Sequence, residues 1–255
     1  MTLLSDPVFY LFAVPAVTFL GVSKGGFSGV GLLATPLLAL ALPPLQAAAI
    51  LLPILILQDF ISVLVYRHDW DARNLKVMLP GAAIGISAAW VLAARVSDAH
   101  VRLAIGAIAL GFVADHWFVR RTGTSTRPTT SRGIFWGGVS GFTSTLCQAG
   151  GPPFQVHVMP QQLEKLTFVG TMAIFFAVVN LMKVIPYFAL GQFSTAGLAT
   201  SAVLVPIAIV TNFLGIWLVR ITPTLLFYRL SYLLVLVVSL ALIYSGLRDT
   251  LGAAI

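Results

Sequence analysis

The sequence predicts an all-α membrane protein built as an inverted repeat of two five-element halves. Three observations carry this. Hydrophobic residues make up 58% of the 255 and charged residues 9%, whereas a soluble domain is roughly a quarter charged. Apolar segments come as five followed by five, and the two sets align residue on residue at an offset of about 120.

The first set lies at about 7–22, 29–42, 44–66, 74–95 and 101–119, and the second at about 133–147, 151–160, 164–190, 196–219 and 229–247. About 20 apolar residues cross a hydrocarbon core of about 30 Å, so the chain has room for about 8–10 transmembrane or re-entrant helices. Residues 1–23 lack the basic start and small-residue cleavage motif of a signal peptide and read as the first membrane helix. The segment 44–66 is long enough to span, but 29–42 and 151–160 are short and interrupted by Gly or Pro. Those two are expected to be broken or re-entrant.

In the alignment of the halves, Gly21 falls on Gly141, Gly31 on Gly151, Asp59 on Asn180 and Tyr66 on Tyr187. An odd number of elements per half makes the second copy enter from the opposite side of the membrane. The chain then divides into an N-terminal repeat, 1–119, a polar Ser/Thr-rich linker, 120–132, and a C-terminal repeat, 133–255.

Fifteen Lys and Arg against eight Asp and Glu give a formal charge of +7. The basic residues gather in loops, a pattern of cytoplasmic anchoring and lipid-headgroup contact rather than nucleic-acid binding. Arg67, Arg73 and Lys76 share one loop, and Arg120, Arg121, Arg127 and Arg132 the linker two crossings later. Both loops are expected in the cytoplasm of a multi-pass inner (cell) membrane protein, with both termini outside. Arg95 and Arg102 fall on the outer side and break the pattern.

Cys147 is the sole cysteine, so an internal disulfide and a cysteine metal cluster are both excluded. No HExxH, GxSxG or Walker pattern occurs. The expectation is a non-enzyme with no catalytic residues, no bound metal and no cofactor.

Dense glycine marks the candidate binding elements. Gly21 to Gly31 reads GVSKGGFSGVG, and Gly141 to Pro153 reads GFTSTLCQAGGPP. Such stretches unwind helices and bring backbone amides within reach of a ligand. A helix N-terminus at membrane depth carries about half a positive charge and suits an oxyanion. The competing reading is that the glycines only let helices pack closely.

The expected anion site comprises Lys24, Gly25, Gly26, Ser28, Gly29 and Gly31 with Thr143, Ser144, Gln148, Gly150 and Gly151. Lys24 and the glycine amides would neutralise the anion, and Ser28, Thr143, Ser144 and Gln148 would donate hydrogen bonds.

Asp59, His157, Asn180 and Lys183 are expected around it, or as a proton-coupling element. Asp59 either pairs with a lysine, carries a proton or approaches the cytoplasmic end. Lys183, three residues after Asn180, either shares its helical face or snorkels to the outer surface. His157 either lines a polar cavity, titrating near neutrality, or is simply hydrogen-bonded.

Taken together, Gly21 to Pro36, the degenerate copy from Gly138 to Pro153 and the five-plus-five layout resemble the sulfite exporter TauE/SafE family of permeases. The second copy departs from the pattern, with Val156 where proline is expected, followed by His157. The resemblance implies a transporter of sulfite, a sulfonate or a related organosulfur anion. Its partners would be that small anion, the lipid bilayer and a coupling proton. The rival readings are a cation or metal transporter using Asp59, His157 and Gln148, and a non-transporting membrane subunit or intramembrane enzyme.

Overall fold

The computed structural model describes residues 7–24, 28–31, 33–38, 41–42, 44–92, 98–114, 117 and 129–252. Every regular element among them is helical. The chain runs α1 (Pro7–Lys24), α2 (Ser28–Gly31), α3 (Ala34–Leu38), α4 (Pro44–Tyr66), α5 (Ala72–Leu92) and α6 (Asp98–Ala114). It continues as α7 (Thr130–Cys147), α8 (Gly151–Val158), a 3₁₀ turn (Met159–Gln161), α9 (Lys165–Ala189), α10 (Thr195–Ile221) and α11 (Thr224–Gly252).

Six of these, α1, α4, α5, α9, α10 and α11, are long and apolar enough to cross a membrane. The two segments expected to be broken are so: 29–42 becomes the short α2 and α3, and 151–160 becomes α8 and its 3₁₀ turn. Gly25, Gly26 and the linker residues up to 128 lie outside the described residues.

The helices gather into two compact units that cut across the sequence halves. One comprises residues 1–70 and 169–223, the other 71–168 and 224–255. Each unit therefore takes helices from both halves.

In the first unit α1 packs on α10, and α4 runs beside α10. Gly21 faces Thr211 so closely that a Cβ would overlap its side chain, and Gly215 sits against the carbonyls of Gly21 and Val22. A hydrophobic core of Phe9, Ala13, Val17, Ile50, Leu51 and Leu204, among others, fills the space around this crossing.

In the second unit α7 packs on α5 through glycine at four points. Gly81 and Gly85 lie against the carbonyls of Ile134 and Gly138, while Gly137 and Gly141 lie against Met78 and Ala82. The pairs advance together along both helices, so α5 and α7 run parallel and start at the same end. The starts of α5 and α7, at Ala72 and Thr130, therefore share that end. Elsewhere in this unit α6 packs antiparallel on α11, joined by the ion pair Arg102 Nη1 to Asp249 Oδ2 at 2.8 Å.

Gly21 and Gly141, matched in the alignment of the sequence halves, thus do the same work in different units. Each lets the first helix of its half touch a helix of the other half. For these two glycines the packing reading of the sequence is the observed one. Gly31 is also a packing glycine, with Ser23 Oγ in the place a Cβ would take.

Candidate functional site

A polar cluster lies inside the first unit. Asp59, in the C-terminal half of α4, is 2% exposed. Its Oδ1 accepts from the Lys24 ammonium at the end of α1, and its Oδ2 accepts from Asn180 Nδ2 on α9 at 2.6 Å. A carboxylate among apolar helices needs such partners, because an unpaired charge in a low-dielectric interior costs several kcal/mol. The alignment of Asp59 on Asn180 is realised as a direct contact.

Lys183 follows Asn180 by one helical turn and is 0% exposed. A snorkelling lysine would show its ammonium at the surface, so that alternative is not the one adopted. Among the described residues the interior of this unit thus holds two lysines, Lys24, paired with Asp59, and Lys183.

Beside the cluster, polar side chains bind α4 to α10. Gln58 Nε2 donates to the Ala208 carbonyl at 3.1 Å, Asn212 Nδ2 donates to the Gln58 carbonyl at 3.1 Å, and Ser62 Oγ donates to Asn212 Oδ1 at 3.3 Å. Sequence reasoning passed over Ser62 and Asn212. Their signal was a polar residue inside each of two apolar runs, but which helix each faced was not legible.

The second unit holds the other candidate element. Gln148 ends α7 in the left-handed region, φ 54°, and the chain folds back at once. Ser140 Oγ donates to the Gly150 carbonyl at 2.7 Å and Thr143 Oγ1 donates to the Ala149 carbonyl at 3.1 Å. These hydroxyls hold the turn, so Thr143 shapes the site rather than offering its proton to a ligand. Ser144, Gly150 and Gly151 are buried beside it.

Helix α8 then runs antiparallel to α7. Its start lies by Ser140, and at its other end His157 Nε2 lies 3.3 Å from where a Cβ on Gly133 would be. Eight residues span about 12 Å, too little to cross a bilayer. Helix α8 folds back along α7, with its N-terminus part-way along α7 and its C-terminus back at the end where α7 began.

The prolines narrow what that N-terminus offers. Pro152 and Pro153 have no N–H, and the Phe154 N–H donates to the Gly150 carbonyl at 3.3 Å. The amide of Gly151 remains as a helix-terminal donor, fewer than the glycine-rich sequence suggested.

The chain thus carries a buried polar cluster on long apolar helices and, separately, a short glycine-proline helix folded back on α7. A sequence model of the family described as Sulfite exporter TauE/SafE matches residues 13–242, nearly the whole chain. The chain belongs to this family. No curated protein and no solved structure matches it.

As a TauE/SafE family member the protein is a multi-pass membrane transporter. Of the residues expected at its site, the structure joins Lys24, Asp59 and Asn180 directly and places Lys183 on the same helix. It places Thr143, Ser144, Gln148, Gly150, Gly151 and His157 in the other unit. Ser28 and Gly29 open α2, while Gly25 and Gly26 lie outside the described residues.

His157, at the end of α8, differs from the expectation of titration near neutrality. Burial, and then the nearby Arg132 guanidinium, push its imidazole down to about 4. It is neutral at physiological pH. The unfolded imidazole gains its proton near 6.5 and the folded one only near 4, so stability from this residue is intact above 6.5 and falls between those values. The expected result is an unfolding midpoint that drops from pH 7 to pH 4.5 by less in His157→Gln than in the wild type. Equal drops would remove His157 from the acid sensitivity.

Proposed function

We propose that this transporter is an exporter of a small organosulfur anion, sulfite or a sulfonate, working by alternating access as a secondary transporter. The observation that carries this reading is the enclosed cluster of Lys24, Asp59 and Asn180 with Lys183 on the same α9 as Asn180, which gathers ammonium and amide donors of the kind an anion's oxygens accept from. Asp59 serves as counter-ion to Lys24, and protonation of Asp59 would free the ammonium for cargo. That exchange is the proposed route of proton coupling.

The family supports the anion class. The cation reading is disfavoured, because both carboxylate oxygens of Asp59 are held by protein donors.

The inverted repeat is part of the same proposal. Along α4 and α10 the bonded positions advance together, Ile50 to Ser201 and Ser62 to Asn212, so these helices run parallel. Consecutive spanning helices joined by residues 190–194 must run in opposite senses, which makes α9 antiparallel to its repeat partner α4. The shared end of α5 and α7, with their basic flanks, supports a cytoplasmic linker and outward termini in the inner membrane.

The test is anion flux in proteoliposomes for the charge-balanced double variant Lys24→Ala/Asp59→Asn. It removes one charge of each sign, so insertion and folding are expected to persist while sulfite or sulfonate flux falls to background. Undiminished flux would sink the assignment. Binding is checked in parallel by thermal stabilisation, where ligand at 100 times its Kd adds about 2.7 kcal/mol to the wild type.

A further inference from the structure

Tyr66 takes no part in the reading above. It closes α4, is 1% exposed, and its hydroxyl has no hydrogen-bond partner among the described residues. Gln58 Oε1, earlier on the same helix in a side chain that is 0% exposed, is likewise unmet. A buried polar atom left unmet is costly, and buried water is what commonly meets it.

Tyr66 also stands in register with Asp59. Residues three and seven apart fall on one helical face, so Asp59, Ser62 and Tyr66 form a file along α4, all three buried. That face is turned to α9: Asp59 meets Asn180, and the Tyr66 Cβ lies 3.2 Å from where a Cβ on Gly170 would be. The file spans about 10 Å, from the enclosed carboxylate to the end where Arg67 and His68 are exposed.

The aligned positions of α9 hold Asn180, Lys183 and Tyr187, also buried. As α4 advances from Asp59 to Tyr66, α9 retreats from Asn180 to Gly170, so the two files leave the Asp59–Asn180 contact in opposite directions. They differ in chemistry. Carboxyl, hydroxyl and phenol can each take a proton on oxygen while giving one up, whereas the amide that opens the α9 file does not titrate.

We propose that the proton of Asp59 is exchanged along one arm only, through Ser62 and Tyr66 to the end of α4. A proton arriving at Tyr66 Oη displaces the phenol's own hydrogen inward to a bridging water. The water passes one to Ser62 Oγ, and Ser62 gives its hydrogen to the Asp59 carboxylate. Each oxygen between gains one proton and loses one, so the lasting change is a neutral Asp59. Ser62 can turn for this, because its bond to Asn212 Oδ1 at 3.3 Å is long for a hydroxyl donor. Arg220 and Asp69 lie within electrostatic reach of the phenol, one charge of each sign. This rests on the proton coupling of the preceding section and adds its path.

The experiment uses the purified full chain in proteoliposomes with methanesulfonate, a fully ionised anion with no proton of its own. Net flux with the accompanying proton, read by an internal pH dye, is compared with exchange of labelled for unlabelled methanesulfonate at equal concentration and pH. Exchange needs only the loaded carrier with Asp59 protonated throughout, while net flux requires Asp59 to shed and regain its proton in each cycle. Tyr66→Phe and Ser62→Ala are each expected to slow net flux about tenfold and to leave exchange unchanged. Tyr187→Phe, on the other arm, is expected to leave both unchanged.

Net flux at the wild-type rate in either α4 variant would overturn the path while the coupling reading stands, as would equal slowing in Tyr187→Phe. A parallel loss of exchange would make Ser62 and Tyr66 structural residues and end the proposal. Anion flux without proton movement in the wild type would overturn coupling and path together. Absence of methanesulfonate flux in both modes would overturn the anion reading as well.

Discussion

Asp59→Leu is expected to lower the unfolding free energy by about 3–5 kcal/mol, the cost of leaving one member of a buried ion pair uncompensated. The change strips the Lys24 ammonium of its counter-ion and Asn180 Nδ2 of its acceptor. Lys24 has little recourse to solvent, since its side chain is 10% exposed. The double variant Lys24→Met/Asp59→Leu removes both charges and should recover most of the loss, because a buried pair contributes little beyond the desolvation it offsets. Unfolding in detergent, followed by helical circular dichroism across the four proteins of the cycle, measures this. Additive losses, with no recovery in the double variant, would show that the two side chains do not depend on each other.

The second large effect is expected at the α5–α7 crossing. In Gly85→Leu the new Cβ would land on the Gly138 carbonyl oxygen, with the Phe142 amide just beyond. Both obstacles are backbone, which cannot rotate aside as a side chain does. The helices must separate, and the contacts at Gly81, Gly137 and Gly141 weaken with them. A loss of about 3 kcal/mol is expected, at the upper end of ordinary overpacking. Gly111→Ala is the control, because nothing lies within 4 Å of a Cβ there. Relief of helical glycine should leave that variant unchanged or stabler by up to about 1 kcal/mol. If Gly85→Leu unfolds at the wild-type midpoint, the close crossing is not what holds these helices together.

The helices and their order were legible because a bilayer leaves few options. A run such as 44–66 must satisfy its backbone internally, so apolar length alone specifies a helix, and α4 occupies Pro44–Tyr66 as expected. The short glycine- and proline-bearing stretches were equally legible as broken elements, since they are too brief to span. The pairing of Asp59 with a lysine was one of the alternatives that buried charge allows, and the repeat alignment singled out Asn180. These conclusions rest on local length, local composition and the cost of charge in hydrocarbon.

The tertiary structure alone decided which faces meet. Hydropathy treats lipid-facing and helix-facing surfaces alike, so nothing in the sequence told that α1 would pack on α10 and α7 on α5, or that the compact units would cut across the sequence halves. Glycine spacing announced close approach without naming the partner. It was contact geometry that made Gly21, Gly31 and Gly141 packing residues. For Thr143 the hydroxyl alone permitted either role, and the turn at Gln148 turned it inward on the Ala149 carbonyl. His157 was a neutral-range titrator only by the ordinary value of an imidazole, and burial beside Arg132 took it out of that range. Side-chain roles in a membrane depend on which neighbour reaches a polar atom first, and that is settled by the packing of distant segments rather than by the residues next in line.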